Sequence, residues 1–254
     1  MTNTVNGAAV QQPTIKKKSR AGEIWRRFRK NKLAVFGMIL FALILLVAIF
    51  ADAIVNYSVA TTQVAADRLL SPNAEHWFGT DNYGRDLFAR IVHGSRNSLL
   101  VGFGSVAIGV VLGGLLGAVC GYVGGRFDAI MMRVLDSIMC IPSMMMALAI
   151  VAALGSSLVN VLLAMTISNV PWYCRIIRSS VLGVTGQTYI EAARSCGTSD
   201  FQIIMTHVLP NAMGPIIVQA TMGIGGAIIS AAGISFVGMG IQPPAPEWGA
   251  MLNE

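Results

Sequence analysis

An all-α polytopic membrane protein is predicted by three features of the sequence. Only 12% of the 254 residues are charged and 54% are hydrophobic, whereas soluble domains carry about 25% charged residues. Apolar runs long enough to cross a bilayer recur along the chain. Every lysine (Lys16, Lys17, Lys18, Lys30, Lys32) precedes the first of these runs. That placement is a topology signal rather than a nucleic-acid surface. Five transmembrane helices are expected, over 33–51, 97–125, 137–154, 158–174 and 211–240.

Residues 1–32 read as a cytoplasmic tail followed by an interfacial helix. Ile24, Trp25 and Phe28 fall on one helical face among basic residues, which suits an anionic membrane surface. The uncharged run 33–51 would extend about 28 Å as a helix, roughly one hydrocarbon core. It is too long for the apolar core of a signal peptide, so 33–55 is read as an uncleaved first span. The basic flank then places the N-terminus inside.

Residues 56–95 form an extracytoplasmic loop with both charge signs. Its most distinctive part runs from His76 to Asp86 and includes Trp77, Phe78, Gly79, Asp81, Gly84 and Arg85. A lone histidine among scattered acids reads as a polar loop rather than a metal site, whose ligands come in defined sets. Residues 96–240 form the permease domain. Within it, Ser105, Gly109, Gly113, Gly117 and Gly121 make a small-residue stripe with a period of four, along which two helix backbones can approach closely. Arg133 and Asp136 are placed to pair on one helical face. Pro142 kinks the third span or frees a carbonyl, and Pro171 breaks the fourth. Cys120, Cys140, Cys174 and Cys196 form no C-x-x-C pair and read as small buried hydrophobes.

The loop 175–210 is expected inside. Its polar island, Glu191 to Pro210, is two short helical pieces meeting at Gly197 and closed by Leu209-Pro210. Loop 155–157 and the proline-interrupted segment 241–254 fall outside. No G-x-x-x-x-G-K-[ST] occurs, and no lysine after Lys32 could complete one. Zinc-protease and nucleophile-elbow patterns are missing too, so an enzyme is not indicated. Charges are also missing from the spans at 33–51, 97–125, 137–154 and 211–240, which disfavours an ion-coupled carrier.

Glu191-Ala192-Ala193, then Gly197, then Leu209-Pro210 resembles the EAA loop of membrane subunits in bacterial ABC importers, with His207 where the general pattern has isoleucine. The His76–Asp86 stretch and the run Gln242-Pro243-Pro244 through Leu252 narrow the resemblance to the second permease of dipeptide, oligopeptide, nickel or glutathione importers. The resemblance implies an ATP-driven importer of small peptides in the bacterial cytoplasmic (inner) membrane, with a nickel or glutathione importer as the alternative. A secondary carrier or a membrane scaffold is the rival class. It also implies several partners: a homologous permease, two cytoplasmic ATPase subunits, an extracytoplasmic solute-binding protein, and membrane lipid. Nucleic acid is not among them. This chain would hold no cofactor of its own, ATP and Mg being bound by partner subunits. Glu191, Ala192, Ala193, Gly197 and Asp200 would form the cytoplasmic coupling helices that meet an ATPase subunit. Family members continue through a sixth span, which is absent from this sequence, ending at Glu254.

Overall fold

The computed structural model describes Trp25, Arg26 and residues 28–254. The expected tail, 1–20, and part of the expected interfacial helix, including Ile24, lie outside the described residues. Trp25, Arg26 and Phe28–Lys30 are helical, with the Trp25 and Phe28 rings stacked at 5.9 Å.

Two compact units divide the chain, Met1–Leu46 and Val47–Glu254. The first contains most of helix α1, Lys32–Ile49. Leu33, Phe36, Ile39, Leu40, Leu43 and Leu46 are all exposed on it. A helix that is apolar all round is at home in lipid.

The second unit is also helical. It comprises α2 (Ala51–Ile54), α3 (Tyr57–Thr61), α4 (Leu87–Val123), α5 (Gly125–Met139), α6 (Ser143–Leu154), α7 (Leu158–Thr185), α8 (Thr188–Ser195), α9 (Asp200–Ile203), α10 (Leu209–Phe236) and α11 (Trp248–Met251). Among the described residues the only β pairing is a single bridge, Thr80 with Asp86. Among the described residues, three helical stretches are long and apolar enough to cross a membrane: α1, α4 and the run Asp200–Phe236. A fourth results if α5 and α6 are one bent span.

Helix α4 is the axis of this unit. At 1.5 Å per residue it is about 55 Å long, well beyond a hydrocarbon core of about 30 Å. It starts earlier than the apolar run because Asp86 caps it, accepting from the Ala89 amide at 2.7 Å. The small-residue stripe meets α7 as its spacing predicts. A Cβ on Gly113 would lie 2.8 Å from the Val170 carbonyl oxygen, one on Gly117 2.4 Å from that of Cys174, and one on Gly121 2.9 Å from that of Arg178. The two backbones are in near contact over three turns. Apolar burial drives little association in lipid, so close packing of this kind carries the pairing. Tyr173 completes the core, its ring beside Gly109 and its hydroxyl against Gly223 of α10.

Pro171 does not break its helix as expected. Helix α7 runs unbroken from Leu158 to Thr185 with Pro171 buried inside it. Packing of Tyr173, Cys174 and Ile177 beyond the proline holds the helix on α4. Just before the proline, Thr166 donates to the Leu162 carbonyl, Ser168 to that of Ala164 and Asn169 to that of Met165, at 2.8–2.9 Å, while the carbonyl that loses its amide donor to the proline is that of Ile167. Pro210 likewise ends nothing, because the helix continues through it. A π-helical stretch, Ile204–Val208, lies immediately before it and supplies the wider turn that a proline ring needs. Pro142 does act as expected: the chain bends by 79° between α5 and α6. Of the four cysteines, Cys120 and Cys174 are buried, whereas Cys140 and Cys196 are exposed.

At the far end of α4, residues 56–86 and 241–254 fold over its first turns. Gly79 and Gly84 adopt φ of +76° and +73°, and a Cβ on Gly84 would sit 1.9 Å from the Val64 oxygen. Arg85 and Arg90, both fully buried, share Asp81 and Glu254. Arg85 Nε lies 2.7 Å from Asp81 and its Nη2 2.5 Å from Glu254. Arg90 pairs with both acids through Nη1. Trp248 donates through Nε1 to the Ile91 carbonyl at 3.1 Å. Its backbone amide donates to Ser98 Oγ at 3.2 Å.

Candidate functional site: a hinged helical island at one end of the bundle

The polar island folds as two short helices with a sharp turn between them. Helix α8 ends in a Schellman motif: the Gly197 amide donates to the Arg194 carbonyl at 3.0 Å and the Thr198 amide to that of Ala193 at 3.2 Å. The motif requires a left-handed residue at Gly197, whose φ is +79°. Ser199 then starts α9, its hydroxyl accepting weakly from the Gln202 amide. Each turn residue therefore satisfies helix-end groups that would otherwise be orphaned.

The island is amphipathic. Ile190, Ile203 and Val208 are buried in the unit's core, with Ala193 partly buried beside them. Glu191, Ala192 and Gly197 face outward. No atom lies within 4 Å of where a Gly197 Cβ would be. Three exposed apolar side chains join this outward surface: Tyr189, Met205 and Phe201, the last 75% exposed. Residue-by-residue reading of the motif missed all three. The signal for Phe201 and Met205 was their spacing of four on one helix face.

Asp200 is placed differently from Glu191 and Ala192. Its Oδ1 accepts from the Tyr122 hydroxyl at 2.6 Å. The Arg194 guanidinium lies 5.3 Å above the centre of the Tyr122 ring. Tyr122, in the last turn of α4, thus holds both short helices through one side chain. Sequence reading did not single it out, although an aromatic at the end of an apolar run is an interfacial signal.

Two ion pairs brace the same end of the bundle. Asp128 of α5 receives Arg178 of α7 through both oxygens. Asp136 pairs with Arg175 of α7 rather than with Arg133, its expected neighbour on α5. At the opposite end, His76 Nδ1 contacts Asp86 at 2.9 Å. Trp77 and Phe78 pack on Phe88, with ring centres 5.1 and 5.5 Å apart.

An apolar helical bundle with long spans and a polar, hinged helix pair at one end defines a class: a membrane-embedded protein. Comparison with known proteins gives the family. Residues 109–254 match the binding-protein-dependent transport system inner membrane component family. Residues 19–72 match the N-terminal TM domain of oligopeptide transport permease C. The chain is 46% identical over 232 residues to the dipeptide transport system permease protein DppC of Alkalihalophilus pseudofirmus, covering 91% of this chain and 76% of that one. It is 45% identical over 233 residues to the glutathione transport system permease protein GsiD of Escherichia coli O157:H7, covering 91% and 77%. A chain of the MetNI methionine ABC transporter, solved in inward-facing conformations, shares the fold with a TM-score of 0.54 at 22% identity, over 63% of this chain and 77% of that one. This chain belongs to the family of inner membrane components of binding-protein-dependent transport systems, and is a permease subunit of the ABC-transporter type rather than a catalytic one.

Proposed function

We propose that this chain carries small peptides across the bacterial cytoplasmic membrane as one permease of a two-permease importer, and that the helix pair hinged at Gly197 is where ATP hydrolysis by a partner enters it. The observation that carries this reading is the geometry at Gly197. A Schellman-turned pair of helices is anchored inward by Ile190 and Ile203, with Glu191, Ala192 and Phe201 left outward. Outward-facing small residues beside one large apolar side chain suit a cleft in a cytoplasmic ATPase subunit. Force applied to the island reaches α4 through Tyr122 and α10 through the continuous helix from Asp200. In this arrangement Glu191, Ala192 and Gly197 meet the ATPase, Ala193 seats their helix against the core, and Asp200 positions them.

In the same reading α7 is a span in its own right. It is about 42 Å long, and its asparagines and arginines lower its hydropathy rather than remove it from the membrane. Five spans then place the island in the cytoplasm and residues 56–86 and 241–254 outside, where a solute-binding protein docks. ATP and Mg are bound by the two ATPase subunits. The dipeptide and glutathione permeases similar to this chain both support a peptide solute, glutathione being itself a tripeptide.

The test is purification in mild detergent followed by reconstitution. Copurification with an ATP-hydrolysing subunit, and ATP-dependent uptake of dialanine or glutathione requiring the binding protein, is the expected result. Gradient-driven uptake by this chain alone would overturn it.

A further inference from the structure

The break between α5 and α6 opens a cleft of about 440 Å³ against α7, within the 300–1,000 Å³ range of ligand sites. Its polar lining is Ser143 at the start of α6 and Ser168 and Asn169 of α7, beside Met146 and Trp172. A smaller void adjoins it, sharing Ser143, Ser168 and Asn169 and adding Ser230 of α10. Four small polar residues from three helices therefore converge in a bundle that is otherwise apolar there.

The depth of the cleft follows from helix rise. Ser143 and Asn169 each lie about twelve residues, roughly 18 Å, from the Gly155–Ser157 turn joining α6 to α7. Helix α6 alone is about 18 Å long, too short to cross a core of about 30 Å. The break at Cys140–Pro142 therefore falls within the membrane. Irregular backbone at that depth persists only where protein buries it or where it lines a water-filled cavity. Ile141, Pro142 and Ser143 are exposed, so this chain does not bury them.

We propose that this cleft is a section of the translocation path, and that its polar residues bind the peptide-bond amides of the passing solute. The assignment rests on the peptide-importer reading given above. The lining residues carry no charge, so the cleft discriminates little between side chains, as a path for varied peptides requires. Asn169 donates to the Met165 carbonyl, while its side-chain oxygen makes no hydrogen bond among the described residues. That oxygen is an acceptor for a peptide N–H. Met146 offers an adaptable apolar wall. One turn beyond Trp172, outside the cleft lining, Arg175 pairs with Asp136.

The test uses the complete transporter in proteoliposomes, with Cys140→Ser and Cys196→Ser removing the two exposed thiols of this chain. Asn169→Cys in that background should react with a water-soluble maleimide. Asn169→Leu and, separately, Ser168→Ala should raise the apparent KM for dialanine, by about tenfold for the first, while the subunits still copurify. A cysteine at 169 that reacts only after denaturation would mean the second permease fills the cleft, and would overturn the proposal. So would an unchanged KM in both variants. Failure of the wild-type transporter to take up dialanine or glutathione overturns the peptide reading instead. The labelling then still reports whether the cleft holds water.

Discussion

Tyr122 and Asp200 are 78 residues apart, yet the tyrosine hydroxyl lies 2.6 Å from the aspartate carboxylate. This contact joins the end of the longest helix to the start of the one that carries the chain back into the bundle. It ties Asp200 to α4, while Glu191 and Ala192 are exposed.

Tyr122→Phe should therefore loosen the island without unfolding the bundle. The lost hydrogen bond contributes about 0.5–1.5 kcal/mol. Hydrogen exchange of 188–203 should accelerate by roughly three- to tenfold, with exchange in the middle of α4 unchanged. ATPase stimulation by the loaded binding protein should fall in the assembled transporter. Protection at wild-type levels would remove the role assigned to this pair.

Gly117→Leu should have a much larger effect. A Cβ there would meet the Cys174 carbonyl oxygen at 2.4 Å, backbone that cannot yield as a side-chain tip can. Helices α4 and α7 would have to separate, with loss of packing along the whole stripe. The expected outcome is little or no monodisperse protein after detergent extraction. Gly183, which has open space around its Cβ position, should tolerate alanine.

At the other end, Asp81 sits between two buried guanidiniums. Burial pushes its carboxyl up, but the Arg85 and Tyr83 amides and the Arg85 and Arg90 side chains outweigh this and hold it below its ordinary value. A depressed carboxylate contributes stability that is present above its unfolded pKa, about 4, and is lost as pH falls through the folded one. Fluorescence of Trp77 and Trp248 should thus be steady from neutral pH to about 4 and change only below it. Asp81→Asn should remove the same contribution at all pH values. It would leave two buried guanidiniums facing Glu254 alone, and breaking a buried pair in this way costs about 3–5 kcal/mol.

The parts of this fold that were legible in the sequence are those set by local spacing. A four-residue repeat of small side chains lies on one helix face whatever packs there, so the Gly109–Gly121 stripe could be read directly. The turn at Gly197 could be read for the same reason, since a helix end needs a left-handed residue one step past its cap. Relationships across the chain were not legible. Asp136 turns to Arg175 on another helix instead of Arg133 on its own, and no spacing rule registers that choice. Pro171 and Pro210 were misread because a proline's effect depends on what surrounds it. Packing of Tyr173, Cys174 and Ile177 on α4 carries one helix through, and a π-helical stretch carries the other. Phe201 looked like one apolar residue among many until the fold left it on the outer face.

The central claim is that the helix pair hinged at Gly197 receives the ATPase subunit's motion, and Gly197→Arg in the reconstituted transporter tests it most directly. An L-residue in this left-handed position costs roughly 1–2 kcal/mol, and the arginine side chain would project into the open space where a partner surface must fit. Gly197→Ala separates the two effects by adding the backbone cost with little bulk. We expect Gly197→Arg to insert into the membrane normally yet lose both peptide uptake and the stimulation of ATP hydrolysis by loaded binding protein, with Gly197→Ala retaining a substantial part of each. Wild-type uptake and wild-type stimulation in Gly197→Arg would contradict the account.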